Sequence, residues 1–578
     1  MKKSFFERSE LAATLGLFRR ELMVTLVFSM AINILMLTPT LYMLQVYDRV
    51  MISHSELTLL ALTLVMLFLF ALMSFADWSR SRLLVRTGVK LDQRLNSRVF
   101  NASFTANLNR LGANPTQPFV DLTQIRQFLT GQGLFALLDA PWTPIYIAVL
   151  FMLHPTLGWV SIVFCAVSIG VAYASHRLTY QVIDDAGKAG VEVAVYVQSK
   201  LKNADVVESM GMLPDLRRRW QNRHQRHLAL THRAQDWSHR MQSISKFVRY
   251  GQQSLGLGVG ALLAIQGELT PGGIIAANML INRATQPIDL LVATWKMLIA
   301  ARQSFLRLEN LLALHPQRDA GLVHPTPRGH MRLENLVARA PARAEPILKG
   351  LSADFAEGQT TVIIGPSGSG KSTLARCLVG IWPNVEGRVL IDGEPIDSWN
   401  REELGPHIGY LPQDIELFDG SIAENIARFS EVDPVKVIAA CQRAGVHDMI
   451  LRLPRGYDTS IGEAGGLLSG GQRQRIGLAR AMYGDPSVVI LDEPNSNLDD
   501  TGEAALLKAV QDLKQQGKTV FLITHRPNII GAADSIVVLN DGVIIHQGPA
   551  ADFIAAVNAR TAQNAAAKMG GEAAPQSA

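Results

Sequence analysis

The chain has 578 residues, with 55 Lys and Arg against 50 Asp and Glu, giving a net charge of +5. That is too long for a single hydrophobic core, and too weakly basic to need nucleic acid as a partner. Cys165, Cys377 and Cys441 lie far apart with no CxxC pair, which argues against a disulfide framework or a zinc site. The composition is sharply divided. Long uncharged apolar runs fill the first three hundred residues or so, and the remainder reads as a soluble α/β domain.

About twenty basic and polar residues precede the first apolar run, which lacks the short core and small-residue cleavage site of a removed signal. Residues 1–21 are therefore expected to stay, as a cytoplasmic lead into a first membrane span at 22–46. Further spans are expected at 57–76, 134–153, 157–175, 255–265 and 273–300, making six within a helical membrane domain of residues 22–314. The fifth is short and rich in glycine; the third contains Asp139, Pro141 and Pro144.

Charge placement gives an orientation. Residues 77–133 carry Arg80, Arg82, Arg86, Lys90, Arg94, Arg98, Arg110 and Arg126, and residues 176–250 include the triplet Arg217, Arg218, Arg219. The three opposite connections hold only Arg49. Lys and Arg near span ends favour the cytoplasmic face, so both long segments and the N-terminus are placed inside, and six crossings return the chain there. Helical periodicity continues through both inner segments, with reversals expected around 113–120 and 211–216. Most of the basic residues read as a solvated face near lipid headgroups.

Polar residues inside spans usually face a bundle interior or a cavity. Asn282, Gln286 and Asp289, with Ala293, recur at helical spacing in the sixth span beside Pro287. They suit the wall of a polar substrate pathway, or bonds between helices; Asp139 at a span entrance is a similar case.

A proline-rich linker is expected at 315–329, and an α/β domain at 330–550. Within it, the apolar run 361–364 leads into Gly365, Pro366, Ser367, Gly368, Ser369, Gly370, Lys371, Ser372 and Thr373, and then an apolar helix. This is a P-loop: backbone N–H groups and a helix N-terminus converge on phosphate, Lys371 reaches the β- and γ-phosphates, and Ser372 holds Mg²⁺. The strand 488–492 ends in Asp492, placed for the Mg²⁺ shell, and Glu493, a candidate general base. Ser469, Gly470, Gly471 and Gln472 precede a helix, Gln413 follows the run 408–411, and His525 follows the strand 519–524.

Together these motifs resemble an ATP-binding cassette (ABC) ATPase over residues 331–549. The resemblance implies that two cassettes pair head to tail. Ser469 and Gly471 of one subunit would then face the γ-phosphate held at Lys371 of the other. Asn497, Leu498 and Asp499 would cross that interface, Gln413 would join Asp492 and Ser372 at Mg²⁺, and His525 would sense the γ-phosphate. Ile461 to Glu463 resembles a short exporter segment that touches the membrane loops. Members of this family usually stack an aromatic on adenine, but Ala340 stands at the corresponding place. Either Arg339 or Arg343 stacks by its guanidinium plane or the base is held loosely, and weak discrimination between ATP and GTP is expected.

Six spans fused ahead of one cassette resemble a half-transporter exporter that works as a homodimer. The stretches 33–63 and 137–155 resemble the inner-membrane ATPases of type I protein secretion systems, in the branch that exports metalloproteases and related RTX-type proteins. With no N-terminal peptidase domain, such a protein would not cleave its cargo. The resemblance implies an unfolded polypeptide as substrate, with a periplasmic membrane-fusion protein and an outer-membrane channel as partners. A lipid or multidrug exporter shares every nucleotide motif. A non-transport mechanical ATPase sits poorly with six spans. The tail at 551–578 is small, polar and alanine-rich, and reads as partly disordered.

Overall fold

The computed structural model describes residues 10–109, 116–201, 203–316, 325–340, 345–462 and 468–556. Contacts divide the chain into two units, Met1–Asn107 with Gly112–Gln317, and Leu108–Leu111 with Arg318–Ala578.

The first unit is helical. After α1 (Glu10–Gly16) come α2 (Arg19–Leu35) and α3 (Thr38–Gln45), which runs through a π-helical turn, Val46–Val50, into α4 (Met51–Ser53). Pro39 does interrupt the first expected span. It stands in the first turn of α3, where its missing N–H costs nothing, and the chain breaks at Met36 and Leu37. α5 (Glu56–Asn109) follows, then α6 (Gln117–Thr130), α7 (Gln132–Asp139), a 3₁₀ turn at Ala140–Trp142, and α8 (Thr143–Leu153). Pro141 and Pro144 again mark new first turns, so the third expected span is two helices in series. The remaining helices are α9 (Pro155–Leu201), α10 (Ala204–Ser209), α11 (Leu213–Ile265) and α12 (Pro271–Leu314).

Among the described residues, four stretches are long and apolar enough to cross a membrane: Arg19–Ser53, Glu56–Leu108, Gln132–Leu153 and Pro155–Leu201. They contain the first four expected spans. The fifth and sixth lie in α11 and α12, where glycines and the polar residues between Asn278 and Asp289 dilute the apolar character. α5 has 54 residues, and at 1.5 Å each it is about 80 Å long, far beyond the roughly 30 Å of a hydrocarbon layer. The continuation of the spanning helices is thus real. The second reversal is built by Gly211, at φ +64°, with Pro214 opening α11; Ala113 to Pro115 of the first lie outside the described residues.

α12 is the helix about which this unit is assembled, packing on α3, α6, α7, α8, α9 and α11. Its N-terminus is held by Asp48, whose Oδ1 accepts the Gly272 N–H (2.9 Å). Pro287 lies inside α12 without ending it. The N-terminal lead is not only a polar tether. Leu11 of α1 is fully buried with Leu91, Leu95, Leu122 and Leu308, and Glu10 pairs with Arg98 at 2.9 Å.

The second unit has two main sheets. β1 (Met331–Arg339), β2 (Pro346–Phe355), β4 (Val385–Ile391) and β5 (Glu394–Pro395) form an antiparallel sheet ordered β2-β1-β4-β5. β3 (Thr360–Ile364), β6 (Ile408–Leu411), β9 (Val488–Asp492), β10 (Thr519–Ile523) and β11 (Ser535–Asn540) run parallel, with β12 (Val543–Pro549) antiparallel at one edge, in the order β12-β11-β3-β10-β9-β6. β9 and β10 are buried throughout, as continuous apolar strands covered on both faces must be. α13 (Lys371–Leu378) follows β3, and α14 (Arg401–Leu404) precedes β6. A helical region follows: α15 (Ile422–Ile426), α16 (Pro434–Arg443), α17 (His447–Leu451) and α18 (Gly470–Met482), with a small ladder between β7 (Gly420–Ser421) and β8 (Ser460–Ile461). α19 (Asp500–Gln515) and α20 (Pro527–Ile530) complete the unit. The carboxyl ends of β3, β9 and β10 lie side by side, which is where a parallel sheet offers its binding crevice.

Candidate active site

The loop from β3 to α13 turns on Gly368 (φ +80°) and Gly370 (φ +100°), backbone positions that favour glycine. Space is open where a side chain at Gly368 would stand, and the Ser369 hydroxyl is buried with no hydrogen-bond partner among the described residues. An open cradle carrying an orphaned donor at a helix N-terminus fits a phosphate group. Lys371 folds back on the loop, its Nζ donating to the carbonyls of Gly365 (3.0 Å) and Pro366 (2.9 Å). Ser372 Oγ donates to Asp492 Oδ1 at 3.2 Å, so the two residues expected at Mg²⁺ meet across α13 and β9. Thr373 is buried one residue further along the helix.

Asp492 and Glu493 are adjacent in sequence but differ in surroundings. Asp492 is 2 % exposed, and burial pushes its carboxyl above the usual range; Glu493 adds to that, while Ser372, Arg376 and Lys371 oppose it. Glu493 takes a left-handed backbone (φ +48°), rare for a non-glycine residue, while its N–H donates to the Ile523 carbonyl (3.0 Å). Its Oε2 accepts from Gln413 Nε2 at 3.1 Å. Gln413, Glu493, Asp492, Ser372 and Lys371 thus form one chain of neighbours. His525 is exposed beyond β10 and makes no hydrogen bond among the described residues.

Ser469 caps α18 in a reciprocal box: its Oγ accepts the Gln472 N–H (3.3 Å), and Gln472 Oε1 accepts the Ser469 N–H (2.9 Å). This leaves Gly470 and Gly471 at the helix entrance, where a side chain on Gly471 would come within 2.7 Å of the Asn497 carbonyl. Asp499 caps α19 through the Gly502 N–H (2.9 Å), which holds its carboxyl below the ordinary value. Within one chain, no contact joins Ser469 or Asp499 to Lys371 among the described residues.

Sequence reasoning missed Gln474. It is 2 % exposed; its Nε2 donates to the Glu493 carbonyl (3.2 Å), and its Oε1 accepts the Asn497 N–H (2.9 Å). The signal was present, because Gln474 shares a helical face with Gly477, Leu478 and Ala481, an apolar side on which a lone amide needs partners. Asn495 was missed too; its Oδ1 accepts from Thr524 Oγ1 at 3.1 Å, tying the Glu493 loop to the residue before His525.

Two observations bear on how the base is held. Arg339 is engaged by Glu386 in a short ion pair. An aromatic does stand nearby: Trp382 Nε1 donates to the Arg339 carbonyl at 3.0 Å, a neighbour contributed by the chain after α13. Arg343 and Glu463 lie outside the described residues.

In the first unit, Asp139 and Gln286 line one cavity of about 270 Å³, whereas Asn282 and Asp289 do not border it. The expected polar stripe therefore splits along α12. Asp139 Oδ1 accepts from Ser29 Oγ (2.5 Å), Asn33 Nδ2 (3.1 Å) and Arg80 Nη1 (2.9 Å). Asn282 spends its amide on the Asn278 carbonyl of its own helix.

Residues 348–496 match the family model described as ABC transporter, and residues 22–288 match ABC transporter transmembrane region. The type I secretion system ATP-binding protein PrsD of Rhizobium meliloti (strain 1021) is 42 % identical over 525 residues, 90 % of each chain. The leukotoxin translocation ATP-binding protein LktB of Mannheimia haemolytica is 30 % identical over 537 residues, 92 % of this chain and 76 % of that one. Among solved structures, a bacterial Atm1-family ABC exporter with ATP bound superposes with a TM-score of 0.79. It is 23 % identical, over 97 % of this chain and all of the other, a likeness of fold.

Proposed function

The chain belongs to the ABC transporter family, and from that premise we propose that it is the inner-membrane ATPase of a type I secretion system, exporting an unfolded protein from the cytoplasm. It is a multi-pass membrane protein whose ATPase drives transport. The observation that carries the reading is the 42 % identity to a secretion ATPase across both units. Six crossings with the ATPase inside, two copies acting as a homodimer, and a membrane-fusion protein and outer-membrane channel beyond it complete the assembly. Asp139, Asn282, Gln286 and Asp289 face the cargo, and lipids surround the remaining spans.

ATP phosphates sit in the cradle of Gly365 to Gly370, where Lys371 exchanges the loop carbonyls for phosphate oxygens. Ser372, Asp492 and Gln413 are the residues that would hold Mg²⁺, which would supply positive charge beside the phosphates. Gln413 binds one Glu493 oxygen, leaving the other to take a proton from the attacking water. Ser469, Gly470, Gly471 and Gln472 close on the nucleotide of the opposite subunit, with Asp499 at the joint and His525 at the γ-phosphate. Closure drives the membrane helices only through its difference in affinity between open and closed states.

Deleting the gene and comparing proteins in the medium tests the cargo: loss of a discrete secreted protein is expected. An unchanged medium, with turnover stimulated by a lipid or drug instead, would point to a small-molecule exporter. Glu493→Gln is expected to retain ATP with turnover reduced at least about a hundredfold; unchanged hydrolysis would remove Glu493 from the base role.

A further inference from the structure

The phosphate cradle abuts a surface that lies outside the P-loop. A side chain on Gly370 would come within 2.8 Å of Leu348 Cδ2 and 3.3 Å of Ile347 Cγ2, so the start of β2 borders the loop. Pairing sets Leu348 opposite Ala338 and Pro346 opposite Arg339, which brings the end of β1 to the same place. Beyond α13 the chain turns at Gly380 (φ +72°), where the Gly380 N–H donates to the Cys377 carbonyl (2.8 Å) and the Ile381 N–H to that of Arg376 (2.9 Å). After this left-handed stop, Trp382 fixes its indole on the end of β1, Nε1 donating to the Arg339 carbonyl at 3.0 Å. The ring is half-buried, with the Arg376 guanidinium 6.0 Å from its centre. Ala340, next along from Arg339, offers only a methyl group, and the Arg339 side chain pairs with Glu386.

From this arrangement we propose that Trp382 is the residue on which the nucleotide base stacks, supplied by the chain after α13 and not by the end of β1. This rests on the reading that the ATP phosphates occupy the cradle of Gly365 to Gly370. Ser372, Asp492 and Glu493 then mark the terminal-phosphate end, and the nucleoside leaves past Gly370 and Ile347 toward the end of β1. A planar base gains most from a π face that is already held in place. Trp382 is held by the Arg339 carbonyl at Nε1 and by packing on the buried core that Ile347 and Val385 also cover. Little side-chain freedom is lost on binding as a result. Every purine presents a π face, so stacking on Trp382 selects only weakly between adenine and guanine.

The full-length protein in lipid nanodiscs is titrated by calorimetry with ATP, GTP and tripolyphosphate, with Mg²⁺ withheld so that no nucleotide is hydrolysed. Trp382→Leu, which keeps an apolar side chain but removes the π face, should weaken ATP and GTP each by about tenfold and leave tripolyphosphate unchanged. Trp382→Phe, which keeps a ring and loses only the Nε1 bond, should bind ATP nearly as the wild type does. Ala340→Tyr added to Trp382→Leu should recover most of the lost affinity, by setting a ring beside the vacated place. Unchanged ATP affinity in Trp382→Leu would overturn the proposal, and so would equal losses for ATP and tripolyphosphate, which would mark Trp382 as a support of the cradle. Tripolyphosphate reads the cradle without a base: a wild-type protein that fails to bind it would overturn the phosphate placement itself, and the stacking role with it.

Discussion

Asp492 ends β9 with a carboxyl that is 2 % exposed and held above its usual pKa by burial, so its charged form is a strained tenant in the nucleotide-free protein. The folded state holds this proton to higher pH than the unfolded chain does. Stability from this group is therefore lost as pH rises from the ordinary carboxylate range through the folded value. Asp492→Asn is expected to raise the melting temperature of the nucleotide-free protein by a few degrees at neutral pH while abolishing Mg²⁺-dependent hydrolysis. A melting temperature that falls would show that the Ser372 contact outweighs the burial. Gln474 is the second residue to examine, because both ends of its amide bond backbone of the Glu493–Asn497 loop. Gln474→Leu leaves a buried carbonyl and N–H unpaired, at a cost of about 1–3 kcal/mol. It should lower turnover at least about tenfold with ATP binding kept, as equilibrium binding beside steady-state hydrolysis would show. The P-loop residues, Asp492 and Glu493 were legible in sequence, since each sits at a fixed offset from a strand end. The left-handed backbone of Glu493 and the Gln474 bridge were not, because both arise where segments distant in sequence meet.

A helix start was readable where a small polar residue precedes it, as at Ser469, and poorly so where an apolar run continues across a break. The run at 22–46 looks like one span, yet it divides at Met36 and Leu37, because hydropathy reports burial in lipid and not helix continuity. The C-terminal end of α18 offers an anchor that no motif announces. Arg428, left-handed at φ +56°, donates from Nε to the Arg480 carbonyl, from Nη2 to that of Ala481 and from Nη1 to that of Gly405. Burial pulls its pKa down to about 10, with neighbouring Arg480 adding to the effect. Three carbonyls on one guanidinium tie the helix that begins at Ser469 to the chain before β6. Arg428→Met is expected to destabilise this unit by about 2 kcal/mol, read by chemical denaturation, while nucleotide affinity at the P-loop is retained.

For the whole molecule, division of labour between copies is the testable property. Within one chain Ser469 and Lys371 do not meet among the described residues, and each is satisfied locally, by a capping box and by loop carbonyls. If they complete one site between subunits, Lys371→Ala and Ser469→Arg proteins are each inactive alone. Mixed, they form heterodimers with one intact site, recovering about a quarter of wild-type ATPase activity for independent sites. No recovery, with heterodimers shown to form, would count against the head-to-tail pairing. The two-part architecture was plain in the sequence from the contrast of apolar runs and strand-helix alternation. The packing of the lead before the first span was not, because Leu11 and Phe18 are too few to form a pattern. Their burial beside α5, α6 and α12 has a practical consequence. With Glu10 clipped to Arg98, and Arg98 Nη2 also donating to the His315 carbonyl, a probe attached at the exposed Ala13 of α1 would be mounted on framework and not on a leash. A dye there would register the movements of those helices during turnover.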